Sequence, residues 1–127
     1  MKKLIAVVAL VSLSGCSTIM EYIPSRWDAN QAKVATDIQQ QARHFDCKGD
    51  QAQQLATLQK NIEWFDLYAK TKPTRDVAKL TSPMTTTVKE FQDRVAKGPV
   101  SPLYCDMKRK LFIQQADIIG GAVQGRF

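Results

Sequence analysis

The chain has 127 residues, the length of one small domain, with 18 Lys and Arg against 12 Asp and Glu, one His and three Cys. Its formal charge of +6 is modest and scattered, and Lys108-Arg109-Lys110 is the one basic run. An enzyme needs a nucleophile with a base, a carboxylate pair or a metal set, and no G-x-S-x-G, H-E-x-x-H, phosphate loop or dinucleotide fingerprint signals one, so the expectation is a non-enzymatic protein with no cofactor and no metal.

The chain opens with Lys2 and Lys3, and the uncharged run LIAVVALVS follows over residues 4–12. A positive start, an apolar middle and small residues behind it are the order of a secretory signal. As a helix, residues 4–13 would cover only about 15 Å, against a hydrocarbon core of roughly 30 Å, so the segment is too short for a permanent span. Leu13-Ser14-Gly15-Cys16 closely resembles the lipobox of bacterial lipoproteins: a leucine, two small residues and an obligatory cysteine. The resemblance covers the first sixteen residues and implies cleavage after Gly15, a diacylglycerol on the Cys16 sulfur and a further acyl chain on the new amino group. The residue types suit that chemistry, because cysteine supplies the thiolate and small residues let the backbone enter a protease cleft. Two or more acyl chains give lasting anchorage in membrane lipid. Ser17, by the sorting rule of enteric-type lipoproteins, implies the periplasmic face of the outer membrane, where nucleic acid is not a partner. Without residues 1–15 the chain has 112 residues, and the loss of Lys2 and Lys3 leaves 16 basic against 12 acidic side chains, a net of +4. The expected organisation is a signal peptide at 1–15, a lipidated tether at 16–24, a helical domain at 25–124 and a frayed tail at 125–127.

Past the tether, Ser25 is the expected cap of the first helix, with Asp28 completing a weak capping box. Trp27, Val34, Ile38, Ala42 and Phe45 repeat at helical spacing around a glutamine-rich face. This helix should end near Phe45 or Asp46, because continuing it would place Cys47 on the polar back. Lys48-Gly49-Asp50 reads as a turn whose aspartate caps the next helix. There Leu55, Leu58, Ile62, Phe65 and Ala69 form one narrow stripe, ended by residues 71–74 with Pro73. In the third segment Val77, Leu80, Met84, Val88, Phe91 and Val95 keep one phase through Pro83. Ser82-Pro83 would suit a new helix start, but the unbroken phase favours a single helix kinked or interrupted there. Gly98-Pro99 stops it, and Ser101-Pro102 starts the fourth. Tyr104, Met107, Leu111, Ile118 and Ala122 make one stripe of that helix, Cys105, Phe112 and Ile119 a second beside it, and Gly120-Gly121 weakens its end.

No segment alternates as a strand, so the expected fold is all-α, a small up-down bundle of three or four helices. With Cys16 acylated, Cys47 and Cys105 are the two cysteines that remain, and an oxidising compartment implies a disulfide between them. Up-down parity agrees, since the first helix ends and the fourth begins at the end far from the anchor. Zinc is the competing reading, and one histidine with no C-x-x-C spacing argues against it. Lys108-Arg109-Lys110 reads as a solvated helix face, with contact to anionic lipid as the sharper alternative. His44 reads as a surface residue near a helix end, with a pH-sensitive contact as its alternative.

Trp64 and Leu67 lie roughly 140° and 160° from the centre of the second helix's stripe, with Tyr68 on the flank. Three readings stand open there: packing under a neighbouring helix or the tether, self-association, or a contact surface for an envelope protein. The functional expectation is a membrane-anchored interaction protein that binds or blocks an envelope component. Small lipoproteins of phages, prophages and plasmids look similar, and some exclude superinfecting phage or conjugation. The alternative is a structural or lytic envelope lipoprotein such as the outer-membrane subunit of a phage spanin. That family is typically shorter and proline-rich, and the five prolines here all fall at turns or helix starts.

Overall fold

A computed structural model describes residues 26–72 and 76–126. The expected signal peptide, Cys16, the tether and the Ser25 cap lie outside the described residues. Four helices follow in order: α1 (Ala29–Arg43), α2 (Gln51–Lys70), α3 (Ser82–Ala96) and α4 (Pro102–Val123), with no strand among the described residues. Three begin at a side chain that accepts the otherwise unpaired N–H groups of the first turn. Asp28 accepts from Asn30 and Gln31, Asp50 from Gln53, and Ser101 from Tyr104. The α1 cap is thus Asp28 itself, and Trp27, expected in the core stripe, stands exposed before it. The helix stops at Arg43, a little short of Phe45, with His44 at its C-terminal cap.

The third helix departs from expectation. It begins at Ser82 with Pro83 in its first turn, where a missing N–H costs nothing. Continuing a helix backwards through Pro83 would lose the bond to the Lys79 carbonyl and drive the ring into it. Residues 76–81 instead form tight turns, with Leu80 N–H bonded to Val77 O and Ser82 N–H to Lys79 O. Those three-residue bonds keep Val77 buried and Leu80 against the core, which is why the apolar phase runs on although the helix does not.

Side-chain pairs along each interface follow the antiparallel course. Asn30 meets Tyr68 and Asp46 meets Gln54 between the first two segments. Gln59 bonds Gln92 and Asp66 bonds Thr81 between α2 and α3, while Glu90 meets Lys108 and Thr87 meets Gln115 between α3 and α4. Arg43 meets Asp117 and Thr36 meets Gln124 between α1 and α4, closing the ring of four. At the α1–α4 crossing Gly120 is buried, and a Cβ there would stand 2.5 Å from the Gln39 amide nitrogen. The Gln39 amide thus lies over this glycine, and the helix continues past it to Val123.

The α2 stripe Leu55, Leu58, Ile62, Phe65 and Ala69 is buried in full. On α4 the buried stripe is the one with Cys105, Phe112 and Ile119, joined by Lys108, Ala116, Gly120 and Val123. Phe45 packs against Phe91 and Phe112 with ring centroids 5.6 Å apart in both cases. Beside that cluster Cys47 and Cys105 are joined, tying the α1–α2 connection to the first turn of α4. This will be called the disulfide end. The opposite end, where Arg26 enters and α2 and α4 finish, will be called the root. Just before the expected tail Gln124 bonds Thr36 and Gln39, and within it Arg126 meets Asp76 at 2.7 Å and the Ala122 carbonyl. Of the expected tail, Phe127 lies outside the described residues.

Candidate contact surfaces

At the root, the last two turns of α2 carry Trp64, Leu67 and Tyr68. Tyr68 is drawn into the fold. Its ring stacks on Trp64 at 4.7 Å, its hydroxyl donates to Asp28 and accepts from Asn30, both at 3.2 Å, and the Lys72 ammonium lies over its face at 4.6 Å. Lys72 also pairs with Asp28, so the α1 cap, the α2 terminus and the tyrosine form one latch. Burial raises the Asp28 carboxyl, but the hydrogen bonds from Lys72 and from the Gln31 N–H outweigh it and leave the group below the usual carboxylate value. The hydrogen bond to Asp28 raises Lys72 above the usual lysine value. Trp64 and Leu67 stay outside the latch, 40% and 58% exposed. Among the described residues both keep part of their surface open, while the tether that was the other expected cover lies outside the described residues. Trp27, 51% exposed, precedes Asp28 and belongs to the same end.

A larger apolar face lies on α4. Leu103, Met107, Leu111 and Ile118 range from 36% exposed at Leu111 to 80% at Leu103. At about 100° per residue these four and Gln114 fall within roughly 80° of arc, some 140° from the line through Cys105, Phe112 and Ile119. Met107, Leu111, Gln114 and Ile118 are spaced four, three and four residues apart, the interval at which one helix seats against another. Sequence reasoning placed Met107, Leu111 and Ile118 in a stripe with Tyr104 and Ala122, whereas Tyr104 packs against the core and Leu103 joins the exposed face. The inward side carries Ala116 and Gly120 beside Cys105 and Phe112, all buried.

The basic run is not a free cationic patch. Lys108 is buried between α3 and α4, 2.7 Å from Glu90 and over the Tyr104 ring, while Arg109 and Lys110 both pair with Asp106 one turn back. Reading all three as a solvated face was therefore wrong for Lys108: the α3–α4 groove is lined by Glu90 and an aromatic ring, which draw its stem inward. Hydrogen bonds from Lys110 and then Arg109 hold the Asp106 carboxyl below the usual value. His44 is exposed at the end of α1, where it was expected. The depressions of the surface are shallow grooves between neighbouring helices, such as that of Gln59, Glu63, Asp66 and Thr85 between α2 and α3. Among the described residues no cluster of three or more His, Cys, Asp or Glu could hold a metal ion, and no helix is long and apolar enough to cross a membrane.

Fold and surface together define a small disulfide-bonded helical bundle with two exposed apolar faces, one at the root of α2 and one along α4. Compared with known proteins, the chain matches no family model, no curated protein sequence and no solved structure.

Proposed function

We propose that the chain is a lipid-anchored envelope protein that acts by contact, binding or blocking an envelope component without chemistry of its own. The observation that carries this reading is the α4 stripe. Leu103, Met107, Leu111 and Ile118 leave apolar side chains exposed along one face of α4, the longest of the described helices. Contiguous patches of that kind mark partner sites. The four-three-four spacing fits a partner that presents an amphipathic helix with its own apolar seam. Location enters through the lipobox Leu13-Ser14-Gly15-Cys16, with Cys16 as the acylated residue. The spanin-like alternative gains no support from a chain that buries four phenylalanines in one core.

Two experiments test the two halves of the proposal. For the anchor, Cys16→Ala should leave a heavier, unprocessed precursor that no longer partitions into detergent. A Cys16→Ala chain still cut and membrane-bound would retire the lipid anchor. For the contact face, Leu111→Glu with Ile118→Glu should leave thermal stability nearly unchanged, since exposed substitutions usually cost within about 0.5 kcal/mol. The same pair should abolish photocrosslinking from position 107 to an envelope protein, and with it any exclusion of phage or conjugation. Crosslinking and exclusion that survive both charges would remove α4 as the working face.

A further inference from the structure

Both tryptophans of the chain stand at one end of the bundle, and it is the end at which the segment following Cys16 enters the fold. We infer that this root is a bilayer-docking face: Trp27, Trp64 and Leu67 seat at headgroup depth in a phospholipid surface, while Arg26 and Lys79 meet its anionic headgroups. The inference rests on the lipid-anchored reading above and states which way the anchored bundle sits.

The chain length favours this orientation. Nine residues, 17–25, separate Cys16 from Arg26, so the root stays within roughly 30–35 Å of the membrane even with that segment fully extended. The disulfide end lies a helix length beyond, about 33 Å for the 22 residues of α4. Of the two ends, only the root is held where a shallow insertion is within easy reach.

Side-chain chemistry points the same way. Tryptophan favours the water–hydrocarbon boundary because its large apolar ring carries one polar N–H. Trp64 stays 40% exposed although its neighbour Tyr68 is fully engaged, and Leu67, one turn on, is exposed among the described residues. Charge is arranged compatibly. The carboxylates Asp28, Asp66 and Asp76 at this end are paired with Lys72, Lys70 and Arg126. Arg26 and Lys79 are exposed in addition to those pairs. Glu63, exposed beside Trp64, has the opposite sign. Ring insertion therefore contributes more than net charge, and anionic lipid adds to a contact that neutral lipid already supports. With the root on the membrane, the α4 stripe runs up the side of the bundle and remains open to a partner.

The chain carries its own reporter, because its two tryptophans are both in the proposed face. The mature full-length chain, extracted in detergent, would be reconstituted into vesicles of phosphatidylethanolamine and phosphatidylglycerol whose acyl chains are brominated near the headgroup. Mass analysis of the N-terminal peptide would be run on the same sample. The expected result is an acylated Cys16, blue-shifted emission and strong bromine quenching. In Leu67→Glu, which keeps both tryptophans and changes an exposed position, the quenching should be lost while the melting temperature holds. Acylated protein whose tryptophans remain water-exposed and unquenched would overturn the docking face and leave the anchor standing. A photocrosslinker at position 67 that captures a protein instead of lipid would overturn it as well. An unacylated N-terminal peptide would remove the anchor, and the docking inference with it.

Discussion

Phe91→Ala is expected to lower the stability of the domain by about 4 kcal/mol, within the range for removing a buried aromatic ring. Phe91 is fully buried on α3, and its ring lies 5.6 Å from Phe45, 5.5 Å from Tyr104 and 6.0 Å from Phe112. Those partners come from the α1–α2 connection and from α4, so one ring joins three separate stretches of chain. Relaxation cannot fill the void cheaply, because the two phenylalanines beside it are themselves held, one next to Cys47 and the other one helical stretch from Cys105. Aromatic pairs add roughly 0.5–1.5 kcal/mol beyond burial, which places the loss toward the upper part of the range. Small domains have only about 5–15 kcal/mol in all. The variant should therefore melt on the order of 20 °C lower and unfold at a much lower urea midpoint with an unchanged slope. Phe91→Leu, which keeps most of the volume, should recover the larger part. A loss below about 1 kcal/mol for the alanine variant would mean that the aromatic cluster is not the centre of the fold.

How far the fold could be read in advance depended on how many neighbours each residue's position required. The α2 stripe was legible because a narrow set of Leu, Ile and Phe at helical spacing leaves one solution, and all five predicted residues are buried. Asp50 and Ser101 were legible as caps because their hydrogen bonds span three residues. The disulfide followed from counting and parity: in an up-down bundle the first helix ends and the fourth begins at the same end, which brings Cys47 and Cys105 together without any knowledge of packing. The start of α3 was misread because periodicity reports which side faces the core, and tight turns at 76–81 satisfy the same periodicity as a helix. Trp27 was misread because its spacing matched α1, whereas Asp28, with two N–H groups to accept, had the stronger claim to the cap. The inner face of α4 and the burial of Lys108 depend on what α3 presents, Glu90 above all, and no local pattern encodes that. Of the contact surfaces, Trp64 and Leu67 were visible as outliers from a stripe, while the α4 face was indistinguishable from a core stripe until its neighbours were placed.

Replacing Cys47 and Cys105 together by alanine should cost about 4 kcal/mol, most of it through the unfolded chain. The bridge closes 58 residues of separation, spanning all of α2 and α3. Loop entropy grows slowly with length, so a closure of this size lies near the top of the usual range. The paired substitution is the informative one, since a single alanine would leave a reactive thiol, and serine would bury a hydroxyl where Cys105 now has no exposure. Because the effect acts on the unfolded ensemble, the variant should keep its far-ultraviolet spectrum and melt well below the oxidised parent, and reductant should lower the parent to nearly the same temperature. Combination with Phe91→Ala is the severe case. Phe45 is two residues from Cys47, so the two changes loosen the same end and need not add simply. Even so, a joint loss approaching 8 kcal/mol exceeds the whole stability of many domains this size, and the triple variant should be unfolded at 37 °C. Equal melting of oxidised and reduced parent, with the Cys47 and Cys105 peptides shown to be linked, would mean that the unfolded chain is already compact around this end. The aromatic cluster would then outlast the bridge, and Phe91→Ala, not reduction, would be the change that opens the bundle.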